Sequence, residues 1–235
     1  METIVISVGG SLIVPKEIDT DFLKRIKTLI ENQIATKGRH FIIITGGGRT
    51  ARNYQDASAT VTELDPDDLD WLGLHATRLN GQLFKTVCKE FAHKVVITNP
   101  EDIKRVPKSA KLVVAAGYRP GASTDLRAVQ IAGNIGAIKM VNLSNTDYVY
   151  TADPKKDFQA KKIEEITWPE FRKLIPEEWD PGLSSPFDPV AAREAEKLGM
   201  EVVAINGEKL EELENYLEDK PFIGTRIHPV RESSE

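Results

Sequence analysis

Short runs of apolar, β-branched residues alternate with longer amphipathic segments along this chain. The runs occupy residues 3–8, 41–45, 94–98, 112–116, 140–143 and 201–205. Between them, apolar residues recur at helical spacing over residues 21–33, 71–91, 125–135 and 188–198. Buried strands that alternate with amphipathic helices are typical of a parallel sheet covered on both faces. The sequence therefore predicts an α/β fold, a three-layer αβα sandwich with a mainly parallel central sheet and right-handed crossovers.

Several of the predicted strands run directly into glycine. Gly9 and Gly10 follow the first run, residues 46–48 follow the second, and Gly117 comes directly after residue 116. Ligands of open α/β sheets bind beyond the carboxyl ends of the strands, where free N–H groups and helix starts converge. A tight turn would explain any one of these loops. All of them together predict one binding site for a polyanion.

Length and charge exclude several classes of protein. The chain has 235 residues, which suits one globular unit, and its net charge of −5 gives no overall attraction to nucleic acid. No stretch approaches the roughly 20 apolar residues of a membrane span. The start, Met1-Glu2-Thr3-Ile4, lacks a basic region before an apolar run. We therefore expect a cytoplasmic protein with no nucleic-acid partner and no membrane partner.

Disulfide and metal chemistry find little support in the sequence. Cys88 is the single cysteine, so it cannot form an internal disulfide, and we interpret it as a small buried hydrophobic residue. The 4 histidines are scattered and show no metal-ligand spacing. We therefore predict no metal-ligating residues.

The first two glycine loops are suited to phosphate. The segment Gly9-Gly10-Ser11 matches neither the Gly-x-x-x-x-Gly-Lys-Ser/Thr phosphate loop nor the dinucleotide fingerprint. It still offers consecutive N–H groups and a hydroxyl to phosphate oxygens. The second loop leads into Arg52, which either clamps a phosphate bidentately or is a solvated helix residue.

The third loop, residues 117–125, ends in three residues that can each cap a helix, Ser123, Thr124 and Asp125. Capping needs one or two of them, so the surplus hydroxyl and carboxylate are candidates to face a substrate. Asp125 can cap the helix, orient a cation or hold magnesium, and the sequence leaves these roles open.

Polar stretches follow in the second half of the chain. A loop containing Asn145 and Tyr150 either holds a nucleotide base and ribose or forms a plain turn. Residues 150–178 are rich in Lys, Asp, Glu and Pro, which predicts an exposed excursion that can act as a lid. The tail after Pro229 is polar, and we expect residues 230–235 to be frayed.

Together these motifs resemble the amino-acid-kinase family and, within it, the UMP kinases of the archaeal type. The resemblance covers nearly the whole chain, and its most specific segments are residues 46–54, 70–80, 147–157 and 184–192. It implies a kinase that transfers the γ-phosphoryl group of ATP to UMP with Mg²⁺, as a homohexamer, in pyrimidine biosynthesis. It also implies a single domain over residues 1–229, with an acceptor-binding part to about residue 135 and an ATP-binding part thereafter.

The resemblance also implies a role for each matched residue. Catalysis would involve Gly10, Ser11 and Asp125. The UMP site would contain Gly47, Gly48, Arg52, Asp70, Thr77, Asn80, Ser123 and Thr124. The ATP site would contain Gly9, Gly10, Asn145, Tyr150 and Asp153. The UMP phosphate is already a dianion near neutral pH, so this reaction needs no general base.

Two positions depart from the family pattern. Ser7 stands where many relatives carry a lysine, although the archaeal-type UMP kinases also lack it. Lys16 is then either a substitute cation or a surface residue. Tyr148 stands where relatives usually have glycine, and the bulk of its side chain can change the shape of the adenine pocket. The alternatives to a UMP kinase are another kinase of this fold, acting on carbamate, an amino-acid carboxylate or isopentenyl phosphate, and a non-catalytic member that binds nucleotide or stores an anion.

Overall fold

The computed structural model describes residues 2–154, 156–178 and 185–230. The strands within these ranges are β1 (Thr3–Val8), β2 (His40–Thr45), β3 (Leu112–Ala115), β4 (Lys139–Ser144), β5 (Val149–Tyr150), β6 (Lys162–Ile163), β7 (Glu165–Thr167), β8 (Glu201–Asn206) and β9 (Thr225–His228). The helices are α1 (Gly10–Ile13), α2 (Thr20–Lys37), α3 (Gly48–Val61), α4 (Pro66–Val87), α5 (Thr124–Asn134), α6 (Trp168–Phe171), α7 (Pro189–Lys197) and α8 (Leu210–Leu217), with a 3₁₀ helix at Pro100–Arg105.

The central sheet is mainly parallel, as the sequence predicts. Its 7 strands lie in the order β3-β2-β1-β4-β8-β9-β7. Only the β8–β9 pair is antiparallel among the pairs of this sheet, and β5 and β6 form a separate antiparallel hairpin. The order runs outward from β1 in both directions, which is the arrangement of doubly wound α/β proteins.

Two hydrophobic cores lie on opposite faces of this sheet. Successive side chains of a strand point to opposite faces, and on β1 Val5 belongs to one core whereas Ile6 and Val8 belong to the other. The Val5 core packs against α5 and α7, and the second core packs against α2 and α8. The predicted three-layer sandwich is therefore confirmed.

Cys88 lies in the second core, as expected for a small buried hydrophobic residue. Burial raises the pKa of its thiol to about 12, so the thiol stays protonated and unreactive. None of the described helices combines the length and apolar character needed to cross a bilayer.

Residues 94–98 do not form the predicted strand. The segment 92–97 pairs with the edge strand β3 through two isolated bridges, from Ala92 to Leu112 and from Ile97 to Ala115. Ala92 and Ile97 are farther apart in sequence than Leu112 and Ala115, the residues with which they pair. A continuous ladder therefore cannot form, and the segment bulges between the two bridges. Val95, within the bulge, is 59% exposed.

Residues 150–178 are only in part the exposed excursion that their composition predicts. The first portion is the β5–β6 hairpin, with Phe158 exposed between its strands. The second portion returns to the main sheet as β7 and buries Trp168 and Phe171 in the core. Trp168 Nε1 donates a hydrogen bond to the Met200 carbonyl oxygen at 2.7 Å. Large aromatic residues in a charged stretch are the feature that composition alone overlooked.

Some of the predicted features lie outside the described residues. These are Lys155 in the segment 147–157, Ser184 at the start of the segment 184–192, and residues 231–235 of the predicted frayed tail.

Candidate active site

The loops that follow the strands meet at one edge of the sheet, on either side of β1. The loops after β1, β2 and β3 lie on one side, and those after β4 and β8 lie on the other. In doubly wound sheets, ligands bind in the crevice that opens where the strand order reverses. The glycine loop after β1 therefore stands between two half-sites.

The first two glycine loops cross in direct contact. A Cβ atom built on Gly10 would overlap the backbone nitrogen of Gly48, and one built on Gly48 would overlap the carbonyl group of Gly10. Gly48 also has φ +61, a conformation that favours glycine. Next to this crossing, the Arg49 N–H donates to the Val14 carbonyl at 2.9 Å. Only glycine fits at the two crossing positions.

Four N–H groups at this crossing make no hydrogen bond to the described residues. Those of Gly10, Ser11, Gly47 and Gly48 have no acceptor within the described part of the chain. They stand where α1 and α3 begin, and the first N–H groups of a helix have no intrahelical acceptor. Such groups, when they converge, attract anions.

Asn80 lies behind the second loop and holds it. Its Nδ2 donates to the carbonyl oxygens of Gly46 at 2.8 Å and Gly47 at 3.0 Å, and the residue is only 3% exposed. Asn80 therefore fixes the loop from inside the protein and does not line the cavity in front of it.

A cavity of about 240 Å³ opens beside these loops, between α3, α4 and the start of α5. It brings together every residue predicted for the UMP site except Asn80. The lining residues are Gly47, Gly48, Ala51, Arg52, Gln55, Asp70, Gly73, Leu74, Thr77, Gly117, Ala122, Ser123 and Thr124. We call this space the acceptor cavity.

Two residues of α4 connect the acceptor cavity to the third loop. The Asp70 carboxylate accepts a hydrogen bond from the Gly121 N–H. Thr77 Oγ1 accepts one from the Gly117 N–H at 2.8 Å and donates to the Leu74 carbonyl at 2.7 Å. Both residues thus shape the wall of the cavity as well as line it.

The three candidate caps of the third loop have different surroundings. Ser123 Oγ caps α5 by accepting from the Leu126 N–H at 3.1 Å, and Thr124 lines the acceptor cavity. Asp125 does not line it. Its Oδ1 accepts from the Ser7 hydroxyl at 3.0 Å and its Oδ2 from the Asp188 N–H at 3.3 Å. Asp125 therefore ties α5 to β1 and to the start of α7.

Asp125 and Asp188 form a poorly solvated pair of carboxyl groups. Burial raises the pKa of Asp125 to about 6, against the hydrogen bond from Ser7 that lowers it. Burial also raises the pKa of Asp188. Asp188 Oδ1 caps α7 by accepting from the Ala191 N–H, whereas its buried Oδ2 has no hydrogen-bond partner among the described residues.

Lys16 does not replace the missing lysine in this arrangement. It is exposed in the turn between α1 and α2, and it makes no ion pair within the part of the chain that the structure describes. The residue that faces Asp125 from the first strand is Ser7 itself.

Most of the residues predicted for ATP lie on the other side of β1, whereas Gly10 belongs to the glycine crossing. Gly9 follows that strand, and its N–H donates to the Leu143 carbonyl of β4 at 2.9 Å. Asn145 is exposed in the loop after β4. The Tyr150 ring packs edge to face against Tyr148, with 6.4 Å between the ring centres. Asp153 lies in the turn after β5.

Asp147, which begins one of the matched segments but was given no role in the site, anchors this half-site. The Asp147 carboxylate accepts from Lys209 Nζ at 2.7 Å and from Asn206 Nδ2 at 2.8 Å. The hydrogen bond from Lys209 is the largest cause that lowers the pKa of Asp147. The loops after β4 and β8 are thereby joined at the same edge of the sheet.

Two arginines to which the sequence analysis also gave no role are Arg78 on α4 and Arg127 on α5. They donate to carbonyl oxygens of the third loop. Amphipathic helices are expected to expose their charged residues, so spacing offered no indication of this role. Arg127 stands among apolar neighbours on its helix, which was the one indication available.

A second cavity, of about 690 Å³, lies at the opposite end of β1 and β2. Thr3, His40 and Val113 are among its lining residues, and none of the predicted site residues is. The described residues also contain no group of three or more His, Cys, Asp or Glu that could hold a metal ion.

Comparison with known proteins gives a consistent result. The model of the amino acid kinase family matches residues 2–206. A uridylate kinase of Methanocorpusculum labreanum is 35% identical over 97% of this chain and 96% of its own length. One of Methanospirillum hungatei is 33% identical over 97% and 95%, respectively.

Solved structures agree with these sequence relatives. The crystal structure of uridylate kinase from Archaeoglobus fulgidus superimposes with a TM-score of 0.79 at 25% identity, covering 97% of this chain and 100% of the other. The structure of UMP kinase from Ureaplasma parvum has a TM-score of 0.78 at 20% identity, over 97% and 98%, respectively, and shows the same fold.

Proposed function

The chain belongs to the amino acid kinase family, and we propose that it is an ATP-dependent UMP kinase, which transfers the γ-phosphoryl group of ATP to UMP and releases UDP and ADP. The observation that carries this function is the acceptor cavity, which is lined by Arg52 and Asp70 together with Gly47 and Gly48, whose N–H groups have no acceptor in the described part of the chain. Uridylate kinases that are similar over nearly their whole length support the choice of UMP.

The acceptor cavity provides complementary groups for a nucleoside monophosphate. Gly47, Gly48 and Arg52 would bind the phosphate through N–H groups and a guanidinium, which suits a dianion. Asp70 would accept a hydrogen bond from a ribose hydroxyl while it keeps its bond to the Gly121 N–H. Ser123 and Thr124 would contact the phosphate or the base. Thr77 shapes the cavity wall through its hydrogen bonds to Gly117 and Leu74. Asn80 holds the second glycine loop from inside the protein.

The donor nucleotide would occupy the other side of β1. Asn145, Tyr150 and Asp153 would contact ATP there, and Gly9, Gly10 and Ser11 would surround the phosphates between the two half-sites. Because the acceptor is already an anion, catalysis here consists of in-line positioning and stabilisation of the charge on the transferred group. The N–H groups of Gly10 and Ser11, which have no acceptor in the described chain, are suited to that role.

We also propose that the reaction uses Mg²⁺. The described residues hold no cluster of carboxylates large enough for a dedicated metal site, which fits an ion that keeps water and phosphate ligands and arrives with ATP. Asp125 is joined to Ser7 of β1 and to the Asp188 N–H, and the buried Oδ2 of Asp188, which has no partner among the described residues, would accept a ligand water. When bound, the ion neutralises charge on the phosphates. Asp125 itself would keep the first turn of α5 in place against Ser7.

Further proposals concern assembly, location and domain organisation. Tyr54 and Val61 on α3 and Trp71 and Leu79 on α4 are between 42% and 86% exposed. Exposed apolar residues on adjacent helices favour association of copies of the chain, in line with a homohexamer. We propose a cytoplasmic enzyme of pyrimidine biosynthesis, with one domain over residues 1–229.

The direct test is a coupled assay with MgATP and each of four acceptors: UMP, CMP, carbamate and isopentenyl phosphate. We expect turnover of UMP, and about a 100-fold or larger loss of kcat/KM for UMP in Arg52→Ala, since a charged hydrogen bond to phosphate is removed. Arg105→Ala is the matched control, because Arg105 is exposed and paired with Asp102, outside the acceptor cavity. Turnover of carbamate or isopentenyl phosphate but not UMP would show that the protein is a kinase for a different acceptor. No turnover with any acceptor would indicate a binding or storage protein.

A further inference from the structure

Two arginines hold three successive carbonyl groups of the third loop. Arg78 Nε donates to the Gly117 oxygen at 3.0 Å, and Arg78 Nη2 donates to the Tyr118 oxygen at 2.8 Å. Arg127 Nη2 donates to the Arg119 oxygen at 3.1 Å. Since this loop supplies Gly117, Ala122 and Ser123 to the acceptor cavity, both arginines determine where its wall lies.

Arg127 is unusual among the described arginines because it is only 5% exposed. Its Nη1 donates to Gln130 Oε1 at 2.8 Å, its guanidinium lies 5.6 Å from the centre of the Tyr118 ring, and its Nε is buried with no partner among the described residues. Burial lowers the pKa of the guanidinium, and the nearby Arg119 lowers it further. A buried cation of this kind is costly unless an anion compensates it.

No carboxylate of the described residues lies within ion-pair distance of Arg127. Within the described residues, neither Arg127 nor Arg78 forms an ion pair, and Asp70 is the one carboxylate that lines the acceptor cavity. Asp70 does interact electrostatically with Arg127, which places the guanidinium near the cavity. Arg127 also follows Thr124 by three positions on α5, so both lie on the same face of the helix.

We propose that Arg127 is a positioning and specificity-determining residue of the acceptor site, which fixes the third loop and supplies a buried positive charge that favours a phosphate dianion over an uncharged acceptor. The compensating anion is the phosphate monoester of the substrate. Arg78 holds the other two carbonyl groups of the loop and so also helps to fix the position of the loop. This inference rests on the proposed UMP site and adds to it a charge that does not line the cavity.

Binding measurements separate a charge effect from a merely structural one. UMP and uridine are titrated into the full-length protein, with Arg127→Gln and with Arg105→Gln as a charge-matched control on the surface. We expect Arg127→Gln to weaken UMP binding by about 10- to 100-fold while uridine binding changes less than about 3-fold. The KM for ATP should stay within about twofold of the wild-type value, and Arg105→Gln should bind both ligands normally.

Arg127→Lys provides a second measurement, which remains available if Arg127→Gln does not fold. Lysine keeps the charge but not the planar fork, so the ratio of UMP to uridine affinity should stay within about threefold of the wild-type ratio. Equal weakening of UMP and uridine in Arg127→Gln, or loss of the affinity ratio in Arg127→Lys, would overturn the inference. Tight binding of UMP by the wild-type protein without turnover would overturn the kinase function and leave the inference in place.

Discussion

The Ser7 hydroxyl donates a hydrogen bond of 3.0 Å to Oδ1 of Asp125, joining the central strand β1 to the first turn of α5. The group that donates to the carboxylate from the central strand is thus a hydroxyl and not a cation. Because a hydroxyl carries no charge, burial dominates the electrostatics of Asp125, and its pKa rises to about 6.

Ser7→Ala should destabilise the protein by about 1–3 kcal/mol at pH 8, because it leaves a buried carboxylate oxygen without a donor. The loss should be smaller at pH 5, where Asp125 is mostly protonated. Urea unfolding at both pH values measures it. Ser144→Ala is the control, since the Ser144 hydroxyl makes long hydrogen bonds of 3.3–3.5 Å near the surface. An equal loss at both pH values would show that the charge of Asp125 is not involved.

Asp125→Asn should change the pH dependence of stability. The carboxyl group has a pKa of 3.8 when unperturbed and about 6 in the folded protein. Its contribution to stability is therefore full below about pH 4 and is lost as the pH rises through 6. Relative to the wild type, the variant should gain up to about 3 kcal/mol in the free energy of unfolding between pH 4 and pH 7.

Chemical denaturation at a series of pH values tests this sign. The amide can donate to Ser7 and accept from the Asp188 N–H, so the local hydrogen bonds survive the substitution. A stability difference that does not vary between pH 4 and pH 7 would show that Asp125 has an ordinary pKa in the folded protein.

Gly48→Ala should cost far more than Gly38→Ala, although both glycines have similar positive φ angles of +61 and +65. An alanine at Gly38 meets no atom within 4 Å, so only the conformational cost of about 1 kcal/mol remains. At Gly48 the new Cβ would overlap the Gly10 carbonyl, which adds steric strain to that cost.

Thermal unfolding and UMP titration of the two variants measure the difference. We expect Gly48→Ala to lose about 3 kcal/mol or more, or else to displace its loop and lose measurable UMP binding. Similar stability and similar UMP affinity in both variants would mean that the two loops do not cross as closely as the structure shows.

Asn80→Ala should raise the KM for UMP more than the KM for ATP. The substitution removes both hydrogen bonds to the carbonyls of Gly46 and Gly47, at a cost of about 1–3 kcal/mol in stability. Steady-state kinetics with each substrate varied in turn measures the split. Asn134→Ala is the matched control, since its Nδ2 holds a single carbonyl, that of Pro100, far from the acceptor cavity. Equal increases in both KM values would assign Asn80 a general structural role.

Hydrophobic periodicity alone predicts that a helix exists but not where the helix begins and ends. The apolar pattern predicts a helix over residues 71–91, whereas α4 spans Pro66–Val87. It begins early because the Asp65 carboxylate caps it by accepting from the Asp68 N–H, with proline in the first turn. These polar starting residues carry no hydrophobic period, although their capping chemistry is readable from the sequence.

The ATP side of the site shows a second limit of prediction from the sequence. Asp147 is 59 residues away from Asn206 and 62 residues away from Lys209 along the chain, and it meets them because β4 and β8 are neighbours in the sheet. No local spacing indicates such a contact. The order of the strands must be known first, and it includes the antiparallel β9 that the strand pattern did not reveal.

The sequence by itself determined the layers of the fold and the glycine loops, because strand period, helix period and the backbone freedom of glycine are local properties. The residues expected at the acceptor site came from the resemblance to the amino acid kinase family and not from these local patterns. Only the tertiary structure decided that Gly10 must cross Gly48, that Asp125 faces Ser7, and that Arg127 lies buried behind the third loop. These relationships join residues that are distant along the chain, and they depend on packing that no local pattern encodes.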